Sequence, residues 1–235
     1  MPLLRLDAVV KAYGGLRPLR LKQLEIRTGE QVGLTGFDQT TAEVFANLVT
    51  GATLPEEGTV TVFNRSTADI VDSDDWLATV DRFGIISERV VLLDQFTPLQ
   101  NIAMSLTLDV EPLEDTVRVE AERIAGEAGL NPAQWRLPIA GTTAAIRHRV
   151  RLARALAGSP AVLLVEHPTA GVEPSEIGSL AADIRRAAAA RGVACVILAS
   201  ERRYAEPFAT RVLQLNAATG ELIETRRGLL KRIFG

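Results

Sequence analysis

Four positions in this sequence set a charged or conformationally special residue directly after an apolar run. Gly36 follows residues 31–35, Glu88 follows 83–87, Glu166 and His167 follow 161–165, and Glu201 follows 193–200. A glycine at such a point lets backbone N–H groups turn toward an anion. A carboxylate such as Glu88 or Glu166 can touch a cation. An imidazole such as His167 can act as a general base near neutral pH. Each feature also has a purely structural reading. Residues 37–43 can form an ordinary strand-to-helix turn with Glu43 in the first helical turn, favourable to the helix dipole. His167 can be a structural histidine with its hydrogen bonds satisfied, and Glu88 an exposed strand-end charge.

The elements that must position these residues can be read from period and punctuation. Strands are expected at 4–10, 19–26, 31–35, 59–63 and 83–87, short and bounded by Gly, Pro or charge. Helical spacing runs over 42–50, with Val44, Phe45, Leu48 and Val49 apolar. The stretch from about 96 to 141 is helix-rich, with periodic segments at 99–106 and 114–128. Then an apolar strand at 161–165, an Ala-rich helix at 175–190 and a second buried strand at 193–200 alternate, as in a parallel sheet covered on both faces. Strands at 211–215 and 221–224, with Gly220 between them, close the chain. This gives a β-rich start and an α/β core interrupted by a helical insert. The core parts are 1–95 and 142–235 and the insert is 96–141, all within a single domain.

Composition narrows the classes. The 235 residues are enough for one sizeable domain, 47% are hydrophobic, and the net charge of −3 offers no basic excess for nucleic acid. Cys195 is the only cysteine, so no internal disulfide can form, which fits a reducing compartment. The first residues carry charge too early for a signal peptide, and no run approaches the length of a spanning helix. Any membrane association is therefore expected through a partner. The segment 226–234 is basic and apolar, consistent with a solvated tail, a dimer contact or a membrane touch.

Several anchors occur in order at telling intervals. Gly29-Glu30 precedes the strand at 31–35; Gly36, a helix, Gly51 and Pro55-Glu56-Glu57-Gly58 follow. Residues 96–106 read FTPLQNIAMSL, and residues 149–174 read RVRLARALAGSPAVLLVEHPTAGVEP. Together they resemble the nucleotide-binding domain (ATPase) of ABC transporters over nearly the whole chain, with wording similar to the lipoprotein-release and macrolide-export branch. The resemblance implies a P-loop NTPase-like ABC ATPase fold: an α/β, mostly parallel sheet core, an N-terminal antiparallel β subdomain and a helical insert. It also implies ATP and Mg²⁺ as cofactors, a membrane permease and a second ATPase subunit as partners, and a cytoplasmic place peripheral to the membrane.

Where the family carries G-x-x-x-x-G-K-[ST], this chain reads Gly36 through Glu43. Thr41 stands for the second glycine, Ala42 for the phosphate-binding lysine and Glu43 for the Mg²⁺-binding hydroxyl. The resemblance places Glu88 at the Q-loop glutamine and Glu166 at the Walker B aspartate. His167 falls at the catalytic glutamate, Glu201 at the switch histidine and Glu173 at the D-loop aspartate. The signature becomes Thr142-Thr143-Ala144-Ala145-Ile146, where Thr143 keeps a hydroxyl and Ala144 and Ala145 replace glycines. Tyr13 matches the adenine-stacking aromatic. Losing the lysine alone removes a charge-assisted contact worth ~1.5–3 kcal/mol. Glu43, Glu88, Glu166 and Glu201 together would repel a polyanion, with no compensating cation apparent near the loop.

The expectation is a pseudo-ATPase that works by docking to a permease, to an intact ATPase partner or to both, as homodimer or heterodimer. It includes an apolar groove near 88–95 for a permease helix. One alternative is an active ATPase in which Glu166 and His167 do metal and base work. Another is a soluble scaffold or regulator derived from the same fold.

Overall fold

The computed structural model of the chain describes residues 1–224, so the 226–234 segment lies outside the described residues. The chain opens with two antiparallel strands, β1 (Leu4–Lys11) and β2 (Leu19–Ile26). It then enters the core through β3 (Gln31–Thr35) and α1 (Gln39–Val49). β4 (Glu57–Val62) and β5 (Arg65–Ser66) return to the first sheet, whose order is β2-β1-β4-β5. A short α2 (Ser73–Val80) leads to β6 (Phe83–Ile86). The insert contributes α3 (Pro98–Ala103) and α4 (Asp115–Glu127). After it come α5 (Ala144–Ala157), β7 (Val162–Glu166), α6 (Pro174–Arg191), β8 (Ala194–Ala199), α7 (Arg202–Ala205), β9 (Arg211–Asn216) and β10 (Glu221–Glu224).

The second sheet runs β10-β9-β3-β8-β7-β6, parallel from β9 to β6 with β10 antiparallel at its edge. Every residue of β3, β7 and β8 is buried, as continuous apolar strands covered on both faces require. One apolar cluster fills the side of α1 and the first sheet, through Leu34, Phe37, Phe45, Leu164 and Val196. The other joins α5 and α6 to the insert, through Ile102, Ile124, Leu152, Leu163 and Ile184. On α5, Val150, Leu152, Ala153 and Leu156 are fully buried. Lys22 N–H donates to Gly220 O, tying the two sheets at β2 and the β9–β10 turn.

Three departures from the sequence reading have physical causes. Helix α1 starts at Gln39 rather than at 42, because Asp38 caps it. The expected 99–106 helix stops at Ala103. Helix α2 was not foreseen: it buries no residue, so it leaves no apolar stripe to read, and it rests on its Asp72 cap. Among the described residues no helix is long and apolar enough to cross a membrane.

Candidate functional site

The turn from β3 to α1 is the first part of the site. Gly36 adopts φ +89°, and a Cβ there would sit 3.2 Å from Leu215 O, so only glycine fits. Gly36 and Phe37 N–H donate to Ser200 O and Ala199 O. Phe37 drops into the core edge-on to Phe45, with ring centroids 5.8 Å apart. Asp38 follows immediately as the N-cap. Its carboxylate accepts from Thr41 N–H at 2.8 Å and from Thr41 Oγ at 2.7 Å, while its carbonyl accepts from Ala42 N–H. These bonds, the Thr41 hydroxyl first, hold the Asp38 carboxyl below its ordinary pKa. Thr41 and Ala42 are buried within the helix. Glu43 lies past the first turn, which corrects the expectation of a first-turn dipole contact. Four of the turn's amides, Gly36, Phe37, Thr41 and Ala42, are thus engaged by the chain itself.

The second part stands at the ends of β6 and β7. Glu166 is 4% exposed, and its carboxylate has three donors. Ser87 Oγ donates to Oε2 at 2.7 Å, Arg89 Nε to Oε2 at 3.2 Å and Arg89 Nη2 to Oε1 at 2.5 Å. The Arg89 Nη1 reaches Glu43 Oε1 at 3.4 Å, and the Arg89 side chain is 35% exposed. Its guanidinium therefore spans two carboxylates, and Glu166, the stronger partner, raises its pKa above the ordinary value. The sequence reading found no cation near the loop. The structure corrects that: Arg89, next to Glu88, is the cation, brought in by a strand end 46 positions downstream of Glu43 rather than by the loop. Its adjacency to Glu88 was the one available signal.

A cavity of about 450 Å³ opens beside this pair, lined by Asp38, Ser87, Glu88, Glu166, His167 and Tyr204 among others. His167 has φ +45°, and its Nε2 is buried with no hydrogen-bond partner among the described residues. Glu88 is exposed and contributes favourably to the charge of Arg151. Glu201 is exposed and pairs with Arg203 at 3.0 Å. The four glutamates are therefore not one repelling ring, since two share Arg89 and one leans on a surface arginine. Tyr13 lines a separate, open cavity with Arg17, Asp38 and Thr40, and its ring folds back over Gly15.

The Thr143 region lies elsewhere. Thr143 caps α5, accepting from Ile146 N–H at 3.4 Å and donating to Glu176 Oε1 at 3.2 Å. Ala144 packs toward Gly171, so this segment and the Glu173 turn adjoin within one chain. Neither joins the cavity of Glu166 and His167. The expected apolar groove at 88–95 is a mostly polar strip: Val91 is 70% exposed, Leu92 is buried, and Glu88, Asp94 and Gln95 face solvent.

The arrangement has relatives. A profile of the family described as ABC transporter matches residues 19–170. The chain belongs to the ABC transporter family. It is 32% identical over 197 residues to a phosphonates import ATP-binding protein PhnC of Anaeromyxobacter dehalogenans, covering 81% of this chain and 39% of that protein. It is 26% identical to a methionine import ATP-binding protein MetN of Brucella abortus, covering 92% and 58%. It is 26% identical to a lipoprotein-releasing system ATP-binding protein LolD of Alcanivorax borkumensis, covering 99% and 98%. The chain thus spans well under two thirds of the two import relatives and nearly all of the lipoprotein-releasing one. Among solved structures, a dimeric ATP-binding cassette in a post-hydrolysis state bound to ADP and Pi matches at TM-score 0.73 and 23% identity, covering 96% and 99%. A nucleotide-free cassette from an ABC transporter matches at TM-score 0.76 and 18% identity, covering 96% and 92%. The fold is the ABC ATPase cassette fold.

Proposed function

We propose that this cassette is the ATP-binding-type subunit of an ABC transport complex whose own site no longer handles Mg²⁺-ATP, and that it acts by docking to a permease and to a second cassette. The observation that carries the reading is Asp38. Its carboxylate sits on the Thr41 amide in the first turn of α1, where the family's phosphate would be received, and a triphosphate would meet that negative charge with Ala42 in place of a lysine. The residues at the phosphate place do not fit Mg²⁺-ATP.

What the chain retains favours assembly. Thr143 stands exposed at the start of the 14-residue α5, with the Ala144 and Ala145 amides beside it. That placement supports a contribution to the nucleotide site of a second cassette, because a hydroxyl and backbone donors need no glycine. Val91 and its polar neighbours form the surface this reading assigns to the permease.

The direct test is a titration of Mg²⁺-ATP into the purified chain, followed by thermal melting and calorimetry together. The expected result is no shift up to millimolar nucleotide. Micromolar binding with a rise in Tm, or turnover that His167→Ala abolishes, would overturn the reading in favour of an active ATPase.

A further inference from the structure

We propose that Arg89 is the resident cation of this site: a tethered guanidinium that takes the place of a divalent metal between Glu43 and Glu166 and holds the cleft in one arrangement without nucleotide. The inference rests on the reading that the site does not handle Mg²⁺-ATP, and it names what replaced that chemistry.

The geometry is that of a clasp. The Nε and Nη2 atoms of Arg89 form a fork onto Glu166, at 3.2 and 2.5 Å, and Nη1 turns to Glu43 at 3.4 Å. A planar fork of this kind fixes direction as well as charge, which a lysine cannot do. Ser87 completes the shell, donating to Glu166 while accepting from Arg89 N–H at 3.2 Å. The backbone just beyond is pinned from the other side. Arg151 Nε donates to Val90 O at 3.0 Å and Arg154 Nη1 to Val91 O at 2.8 Å, both from α5. One short segment, 87–91, thus joins the ends of β6 and β7 to α1 and α5. It presents Val91 outward from a fixed backbone. A divalent ion arriving with a nucleotide would make such contacts only while bound, whereas a guanidinium on the chain makes them permanently. The surface assigned to the permease is therefore held in place in every state of the complex.

Melting of the full chain, with and without MgCl₂ and with no nucleotide present, tests this. Wild type is expected to ignore about 20 mM Mg²⁺ at matched ionic strength. Arg89→Ala is expected to melt lower and to recover about 2–4 °C with Mg²⁺, because Glu43 and Glu166 are then free to bind it. Arg89→Ala/Glu166→Gln is expected to melt above Arg89→Ala and to lose the metal response. If Arg89→Ala does not fold, Arg89→Ala/Glu43→Gln/Glu166→Gln should restore a folded chain, since the buried charge is gone. The proposal is overturned if Arg89→Ala melts like wild type, or if wild type gains as much from Mg²⁺ as Arg89→Ala does. It is also overturned if neither Mg²⁺ nor removal of the carboxylates recovers the loss. None of these arms contains ATP, so failure here is distinct from failure of the nucleotide titration.

Discussion

Replacing Asp38 with alanine isolates the phosphate side of the site. The change removes the cap of α1, leaves the Thr41 amide without its acceptor and leaves the Thr41 hydroxyl only the backbone carbonyl of residue 38. Loss of an Asp cap costs about 1 kcal/mol, and because Asp38 is solvent-exposed, screening keeps the figure at or below that. For a chain of this size that is a fall in Tm of about 2–4 °C. The sign with pH follows from the lowered carboxyl pKa. An unfolded Asp titrates near ~3.9, so the stabilisation is complete above that value and is lost as pH falls through the lower folded-state value. The gap between wild type and Asp38→Ala should therefore be constant between about pH 7 and pH 5 and close below about pH 4. Asp38→Asn, which caps without charge, should keep its stability across the same range. The functional arm uses inorganic phosphate. With the carboxylate gone, about 10 mM phosphate should raise the Tm of Asp38→Ala and leave wild type unmoved. Equal melting of the two proteins at neutral pH, or an equal phosphate response in both, would refute the idea that Asp38 occupies the phosphate place.

Two further outcomes follow from buried charge. Asp183 receives Arg149 Nε at 2.8 Å and Nη2 at 2.7 Å, with both side chains largely buried, so Asp183→Ala strands a buried guanidinium. Urea denaturation should show a loss of about 3–5 kcal/mol, and a loss under about 1 kcal/mol would mean that solvent reaches Arg149. His148 is buried on α5, and burial first, then Arg151, lowers its pKa to about 4. Between about 6.5 and that value the unfolded chain binds a proton that the folded chain refuses, so this histidine costs stability progressively as pH falls through the window, on the order of 3 kcal/mol in all. His148→Leu should flatten that part of the urea midpoint against pH curve; an unchanged slope would show that His148 is protonated in the fold.

The legible parts of this molecule are those set by local pattern. The strands at 161–165 and 193–200 read directly from apolar runs, and α6 from its Ala-rich stretch. Local pattern also misled. Residues 37–43 read as a phosphate loop or an ordinary strand-to-helix turn, yet Asp38 has the composition and position of a cap three residues before Thr41. Arg89 was illegible for a different reason. Its partners lie 46 residues before it and 77 after it, and only the parallel pairing of β6 with β7 brings their carboxyl ends together. His167 is illegible for the same reason: its left-handed backbone, and an Nε2 with no partner among the described residues, depend on the turn after β7.

The paired substitutions bear on whether this site is decayed or rebuilt. A site losing function without constraint would drop its lysine and hydroxyl and leave the remaining carboxylates to repel one another or protonate, since a buried unpaired charge is costly. Glu166 is buried here, one methylene longer than the family's aspartate, and every donor it needs comes from the β6 end. Glu43 stands on α1 facing the same guanidinium. Asp38 supplies an anion at the helix start just where the chain no longer offers a lysine. On the proposed function, an internal anion fills the phosphate place and an internal cation bridges the two carboxylates at the metal place. On that reading, the two together would preserve the shape of a cassette without a bound ligand. This is the pattern expected if selection acts on the docked shape, and it makes Arg89→Ala more informative than any substitution at Ala42.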